Sequence, residues 1–373
     1  MLSNLIKNFN SSFKGSTTSY LEFKSDTTMT IAPKYTNTGV TLQYSLDGIS
    51  WIPIESGAIT PIANIIYFRG SATETKSLYS SYATSNAWTF TGATNLECNG
   101  KLDRLLQNSL GSDDDVLIIG NYCFSYMFYN NTTLITAPEL PATTLANYCY
   151  QSMFQGCTNL TVAPELPATT LATYCYIYMF RSCTKLTVAP ELPATTLANG
   201  CYQSMFLGCT NLTVAPELPA TTLTNGCYVS MFRSCTNLTT APELPATKLT
   251  SNCYGSMFQS CTNLTVAPSL PATILDTYCY QYMFQGCTNL TTLPKLPATT
   301  LANGCYQYMF NVCTGLKLST TQTDIYDTAY RIPTTGTGTT ATNALISMFE
   351  GTGGTFNGTP EINTTYYTEN TLI

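Results

Sequence analysis

The chain has 373 residues, of which 44% are hydrophobic and only 10% charged, with a net charge of −6. It is long enough for two or three domains with packed cores. So few cations on an acidic chain argue against a nucleic-acid partner. No apolar run approaches the ~18 residues that a membrane span needs.

Met1 to Ser19 lacks the apolar core and small-residue cleavage site of a secretory signal, so synthesis and folding in a cytoplasm are expected. Leu2, Leu5, Ile6, Phe9 and Phe13 recur at a spacing of three to four, which suits a short helix docking onto a partner or, more plainly, a frayed terminus. From Tyr20 to Gly100 the runs Y-L-E-F-K, T-M-T-I-A-P, V-T-L-Q-Y-S-L, W-I-P-I and N-I-I-Y-F-R-G predict a small β-sandwich. Asp47-Gly48 marks a hairpin between Tyr44–Leu46 and Trp51. K-L-D-R-L-L-Q-N, from Lys101, reads as a capping helix.

Cysteines then fall at 123, 149, 175, 201, 227, 253, 279 and 305, always 26 apart, inside nearly identical text. A fixed period of this size predicts stacked units, each too small to bury its own apolar face. With the first cysteine of a copy numbered zero, Cys, Tyr, Met, Phe and Cys occupy offsets 0, 1, 4, 5 and 8. At helical spacing these cover one face about 140° wide, so a short helix is expected over Asn147–Gly156 and its counterparts. In T-N-L-T-V-A, Leu160 and Val162 alternate with Thr161 and Ala163, as in a short strand. P-E-L-P-A-T-T-L then breaks regular structure at Pro164 and Pro167.

After Leu318 the period decays. N-A-L-I-S-M-F (Asn343–Phe349) echoes the M-F segment as a degenerate terminal coil, T-T-G-T-G-T-T reads as extended, and Tyr366 to Ile373 are expected to cover the open edge.

The M-F-x-x-C-T-x-L-T-x-A-P-E-L-P-A-T-T-L text, opened by I-I-G-N-Y-C-F from Ile118, resembles the BspA-like leucine-rich repeat proteins of gut bacteria and their phages. The resemblance covers about Val116 to Leu318. It implies a right-handed leucine-rich solenoid and a surface-exposed, adhesive role, and little about activity.

Sixteen cysteines comprise eight at the first position, seven at the second (Cys157 to Cys313 by 26s) and Cys98. Asn131 replaces cysteine in the first copy, which fits a buried side chain bonding a turn. Thiol ladders are therefore favoured. Disulfides within C-x7-C, with Cys98 paired to Cys123, remain the alternative. C-x7-C is not a zinc spacing.

No histidine is present, so the commonest general acid–base is missing, and the cysteines lack an activating neighbour. Glu139, Glu165, Glu191, Glu217 and Glu243 stack in register, with Ser269 and Lys295 ending the row. That column is a weak candidate for Ca²⁺, with a solvated ridge the favoured reading, as it is for the acidic loop Asp113–Asp115. N-L-T at Asn159, Asn211, Asn237, Asn263 and Asn289 matches a glycosylation pattern but reads as turn chemistry.

Variation concentrates at offsets −1, 2, 3, 6 and 7, the outward half of the expected helix. There stand Tyr126, Tyr148, Tyr174, Tyr178, Tyr278, Tyr282 and Tyr308, with Arg181, Arg233, Gln155, Gln259 and Gln285. Exposed tyrosine offers large contact area at low entropic cost, which suits sugar faces and protein surfaces. The Thr161, Thr187, Thr213 and Thr239 row looks like the smoother side.

The fold expected is thus an α/β leucine-rich-repeat solenoid of about eight 26-residue coils (short strand, Pro-rich turn, short helix), preceded by a small all-β sandwich. Its segments are a docking segment at 1–19, the sandwich at 20–100, the solenoid with its cap at 101–318 and a degenerate cap at 319–373. The function expected is non-enzymatic and without cofactor: a structural, adhesive component of a phage virion, of tail- or head-fibre type. It would be homo-oligomeric, joined to virion proteins through its N-terminal segment, and would contact a host surface glycan or protein. A bacterial cell-surface adhesin is the alternative, and a polysaccharide-cleaving enzyme a third reading.

Overall fold

The computed structural model describes residues 20–72, 77–107, 119–332 and 341–369. In the repeated segment every second peptide N–H donates to the next copy rather than to its own. Tyr148 N–H donates to Thr173 O (3.1 Å), Tyr150 to Cys175 (3.0 Å), Ser152 to Ile177 (2.9 Å), Phe154 to Met179 (3.0 Å) and Gly156 to Arg181 (2.8 Å). The residues between them close three-residue turns, as Gln151 N–H does on Tyr148 O (3.2 Å) and Met153 on Tyr150 O (3.2 Å). Every fourth residue is left-handed: φ is +59° at Tyr148, +51° at Ser152 and +76° at Gly156.

This overturns the expected fold class. No α-helix forms among the described residues; the only helical pieces are 3-10 turns at Thr84–Asn86 and Leu102–Leu105. The capping helix read into Lys101–Asn108 is the second of these turns. Strands gather in two mixed sheets, and neither closes or winds along the repeats as the expected α/β solenoid requires. The physical reason lies in the period. Offsets 0, 4 and 8 with 1 and 5 repeat every four residues, which a 3.6-residue helix only approximates over so short a span. An α-helix would also keep its N–H groups for itself, leaving none to join the copies.

The inward set is nonetheless buried: Cys149, Tyr150, Met153, Phe154 and Cys157 are closed to solvent, as are their counterparts. Phe rings stack copy on copy, Phe206 on Phe232 at 5.7 Å and Phe232 on Phe258 at 5.8 Å, and Tyr202, Tyr228 and Tyr254 form a parallel column at 5.8 Å. The T-N-L-T-V-A segment makes only isolated parallel bridges such as Val162 to Val188. Leu160 is buried there but Val162 is 58% exposed, so the expected alternation is lost.

The N-terminal region is not a sandwich. Strands β1 (Leu21–Ala32), β2 (Val40–Ser45), β3 (Ile52–Ile54), β4 (Ala63–Ala72), β5 (Thr89–Thr91), β6 (Leu96–Asn99) and β7 (Leu134–Thr136) form one sheet, ordered β3-β2-β4-β1-β6-β7 with β5 beside β1. In place of a second sheet, its inner face lies against the first copy, where Phe128 meets Phe23 (6.3 Å) and Phe90 (5.8 Å). Leu78 N–H donates to Cys123 O and Trp88 N–H to Met127 O, so residues 78–102 serve as a rung beneath the first copy. The hairpin at Asp47-Gly48 forms, with Leu42 opposite Ile54 and Gly48 at φ +73°. Asp47 Oδ1 accepts from the Ile49 and Ser50 amides, which holds that carboxyl well below the usual carboxylate range.

Gly70 in β4 shows how closely sheet and cap approach. A β-carbon there would stand 2.5 Å from Leu105 O and 2.7 Å from Thr41 O. Gly70→Ala is expected to destabilise by about 1–3 kcal/mol, read as a lower urea midpoint at unchanged slope.

At the far end Asn343–Phe349 is a ninth copy: Tyr306 N–H donates to Ala344 O (3.0 Å), and Phe349 stacks on Phe310 (5.7 Å). Strands β8 (Lys317–Ser319), β9 (Thr328–Arg331), β10 (Gly353–Gly354) and β11 (Thr365–Thr368) form the second sheet, ordered β10-β8-β11-β9. Two of the last copy's outward amides are capped, Ser347 N–H by Thr359 Oγ1 (2.8 Å) and Phe349 N–H by Gly358 O (2.9 Å). Tyr366 packs on Phe356 beside this edge. The segment 1–19, the acidic loop Asp113–Asp115, the whole T-T-G-T-G-T-T stretch and residues 370–373 lie outside the described residues.

Candidate functional site

Offsets −1, 3 and 7 are the left-handed positions of each copy. Glycine fills several of them at no steric cost, as at Gly156, Gly200 and Gly208, while serine, asparagine and Val312 occupy others with a Cβ in the left-handed region. Eight tyrosines sit there as well: Tyr122, Tyr126, Tyr148, Tyr174, Tyr178, Tyr278, Tyr282 and Tyr308, at φ between +54° and +64°. A bulky side chain in this region costs on the order of 1–3 kcal/mol.

The structure brings the expected residues together in two groups. In the first, Tyr148 stacks on Tyr174 at 5.1 Å and on Tyr122 at 5.4 Å, and the Tyr174 ring lies over Gly200, filling the space a side chain would need. Burial, then Tyr174, Tyr122 and Tyr82, push the Tyr148 phenol up. Tyr126 meets Tyr129 edge to face (5.3 Å), and its hydroxyl accepts from Gln151 Nε2 (3.2 Å). The Arg181 guanidinium covers Tyr178 at 5.4 Å. In the second group Tyr282 stacks on Tyr308 at 5.0 Å, and Tyr278, 39% exposed, lies over Gly304. Most of these rings are half-buried rather than fully exposed.

Arg233 joins neither group; it is exposed between Gly226, Ser230 and Ser234. Gln259 donates to Gln285 and Gln285 to Asn311 Oδ1 (2.7 Å), an amide ladder running to the second group. Gln155 is tied through its carbonyl to Asn130 N–H (2.8 Å). Three members were missed: Tyr129, at offset 6 and packed against Tyr126, and two others. Tyr122 shares its offset with Tyr148 and was legible; Tyr82, stacked on Tyr148 at 5.6 Å, comes from outside the repeat and carries no periodic signal.

All sixteen cysteines are free and buried. Each second-position thiol donates to a phenylalanine carbonyl of the preceding copy, as Cys183 does to Phe154 O (3.0 Å) and Cys235 to Phe206 O (3.1 Å). Asn131 uses Oδ1 to accept from Thr133 and Leu134 amides, bonding its turn. Burial pushes every thiol up, to about 12 at Cys183, Cys235 and Cys287 and about 11 at Cys305. Such thiols are poor nucleophiles at neutral pH.

Glu139, Glu165, Glu191, Glu217 and Glu243 are exposed along one side. Desolvation raises Glu139, opposed by Lys101 and reinforced by Asp103 and Glu165. Among the described residues no three His, Cys, Asp or Glu side chains gather closely enough to hold a metal, so the column forms no ligand set. Among them too, no helix is long and apolar enough to cross a membrane.

No family model matches this chain, and no curated protein or solved structure matches it.

Proposed function

We propose that the chain is a non-enzymatic adhesive and structural protein whose outward tyrosine face contacts a host surface glycan or protein. The observation that carries this reading is the set of eight tyrosines in left-handed backbone, at positions that glycine, free of that cost, or the smaller serine and asparagine fill in other copies. Strained backbone clusters at ligand-contacting sites, which supports a contact role for this face beside its ring stacking. Tyrosine supplies broad, rigid contact with a polar tip, and Arg181 and Arg233 add cationic contacts to the same face.

The setting proposed is a phage virion, as a tail- or head-fibre component assembled in the host cytoplasm. There the chain would be homo-oligomeric and joined to virion proteins through residues 1–19. That setting rests on the resemblance of the repeat text to proteins of gut bacteria and their phages.

Replacing Tyr178 and Tyr282 by glycine tests the face. Thermal stability should stay level or rise, since glycine adopts φ near +58° freely. Attachment to whole gut bacteria, or to the glycan found in a binding screen, should fall about tenfold or more. A lower Tm with unchanged attachment would make the rings packing elements and end the proposal. Immunogold labelling then separates virions from bacterial surfaces as the carrier.

A further inference from the structure

We propose that the outer face of the N-terminal sheet is a second binding site, for a carboxylate-bearing sugar such as a uronate residue, with Arg69 and Trp51 at its centre. No residue of the tyrosine face takes part in it. On the solvent side of β4 stand Tyr67 and Arg69, beside Gln43 from β2, with Trp51 just ahead of β3 and Tyr20 just ahead of β1. Outward positions of a sheet are ordinarily polar. Here three aromatic rings converge instead, Tyr20 lying 5.7 Å from Trp51 and 4.9 Å from Tyr67.

Arg69 is fixed twice. Its Nε donates to Gln43 Oε1 at 2.9 Å, and its guanidinium carbon lies 4.2 Å from the Trp51 ring centroid. Those two contacts leave the end-on pair of Nη groups, which among the described residues meets no carboxylate. Of the neighbouring charges, Lys24 pairs with Glu97 at 3.4 Å, while Glu22, held by Asn99 Nδ2 at 3.1 Å, keeps its negative charge beside Tyr67. A planar fork held on one edge and one face has already lost the freedom that ligand binding usually costs. Its remaining edge matches a carboxylate bidentately.

The topology selects the class of ligand. β4, which carries Arg69, is paired on both sides, by β1 and β2, so no peptide main chain can add as a strand beside Arg69; the sheet's free edge is at β3, beyond β2. Recognition must come from side chains lying flat, with a pyranose ring over the aromatic rims and its carboxylate at Arg69.

The chain carries its own reporter. Of its two tryptophans, Trp88 is 4% exposed with its indole N–H on Lys34 O (3.0 Å), so a ligand-induced fluorescence change reports Trp51. Titration of the full chain with oligogalacturonate should change emission saturably, and neutral maltoheptaose should require at least about tenfold higher concentration. Arg69→Gln and Arg69→Lys should both lose that preference while keeping the circular dichroism melt, since lysine restores charge but not the fork. The Tyr178→Gly, Tyr282→Gly variant should respond as the parent does, which separates this site from the tyrosine face. Equal response to the neutral oligomer, an equal response to polyglutamate or inorganic phosphate, an unaffected Arg69→Gln protein, or no response to oligogalacturonate would each overturn the proposal.

Discussion

Between about pH 9 and pH 11 the protein is expected to lose its fold in one steep step. All sixteen thiols are buried, and burial raises each of them above the ordinary value of about 8.5. Cys305 keeps its proton in the folded chain to about 11 and Cys183, Cys227, Cys235, Cys253 and Cys287 to about 12, the remaining thiols being raised as well, whereas the unfolded chain begins to release them near pH 8.5. Above that point the folded state binds more protons, so stability falls as pH rises. Below it the thiol contribution is fully present. Each thiol removes up to about 1.4 kcal/mol per pH unit, so a handful titrating together exceed the 5–15 kcal/mol that typically separates folded from unfolded chains. The buried phenols Tyr150, Tyr176, Tyr202, Tyr228, Tyr254, Tyr280 and Tyr306 are raised by desolvation too and act in the same direction at higher pH. Circular dichroism against pH, with phenolate absorbance recorded together, checks this; a native spectrum persisting to pH 11 would refute it. At pH 8 a thiol reagent should label few cysteines before denaturation and all sixteen after it.

Phe232→Ala carries the second large expectation. The ring lies between Phe206 and Phe258 at 5.7 and 5.8 Å, nearly parallel to both, in a column closed to solvent. Its removal deletes two ring contacts and opens a cavity that the turns cannot collapse into, because the Phe232 N–H is bonded to Met257 O (3.0 Å) and its carbonyl to the Cys261 thiol (3.1 Å). A loss of about 3–5 kcal/mol is expected, against less than about 2 kcal/mol for Phe232→Leu. Chemical denaturation measures both. Equal, small losses would mean that the column contributes little beyond filling space.

What could be read from the residues follows from where the information lies. Burial of Cys, Tyr, Met and Phe was legible because it is a property of spacing, and offsets 0, 1, 4, 5 and 8 select one side under either a helix or a four-residue turn. The backbone was misread because those two periods diverge little over nine residues. The discriminating signal was glycine: Gly200 and Gly208, or Gly304 and Gly351 with its neighbours, recur at offsets −1 and 7, where a helix has no use for them. Val162 was placed inward by alternation, but the strand that alternation presumes is reduced to single bridges. The meeting of Trp51 with Arg69, and of Tyr82 with Tyr148, joins segments distant in the chain and has no local signature.

The sealed ends have an evolutionary consequence. Each copy bonds to its two neighbours, while residues 78–102 donate to carbonyls of the first copy and Gly358 and Thr359 accept from two amides of the last. Duplication or deletion of one 26-residue block in the gene therefore lengthens or shortens the column by one step, about 5 Å, and leaves both terminal closures intact. The separation between the two tyrosine groups becomes a quantity that recombination can tune in fixed increments, like notches on a gauge.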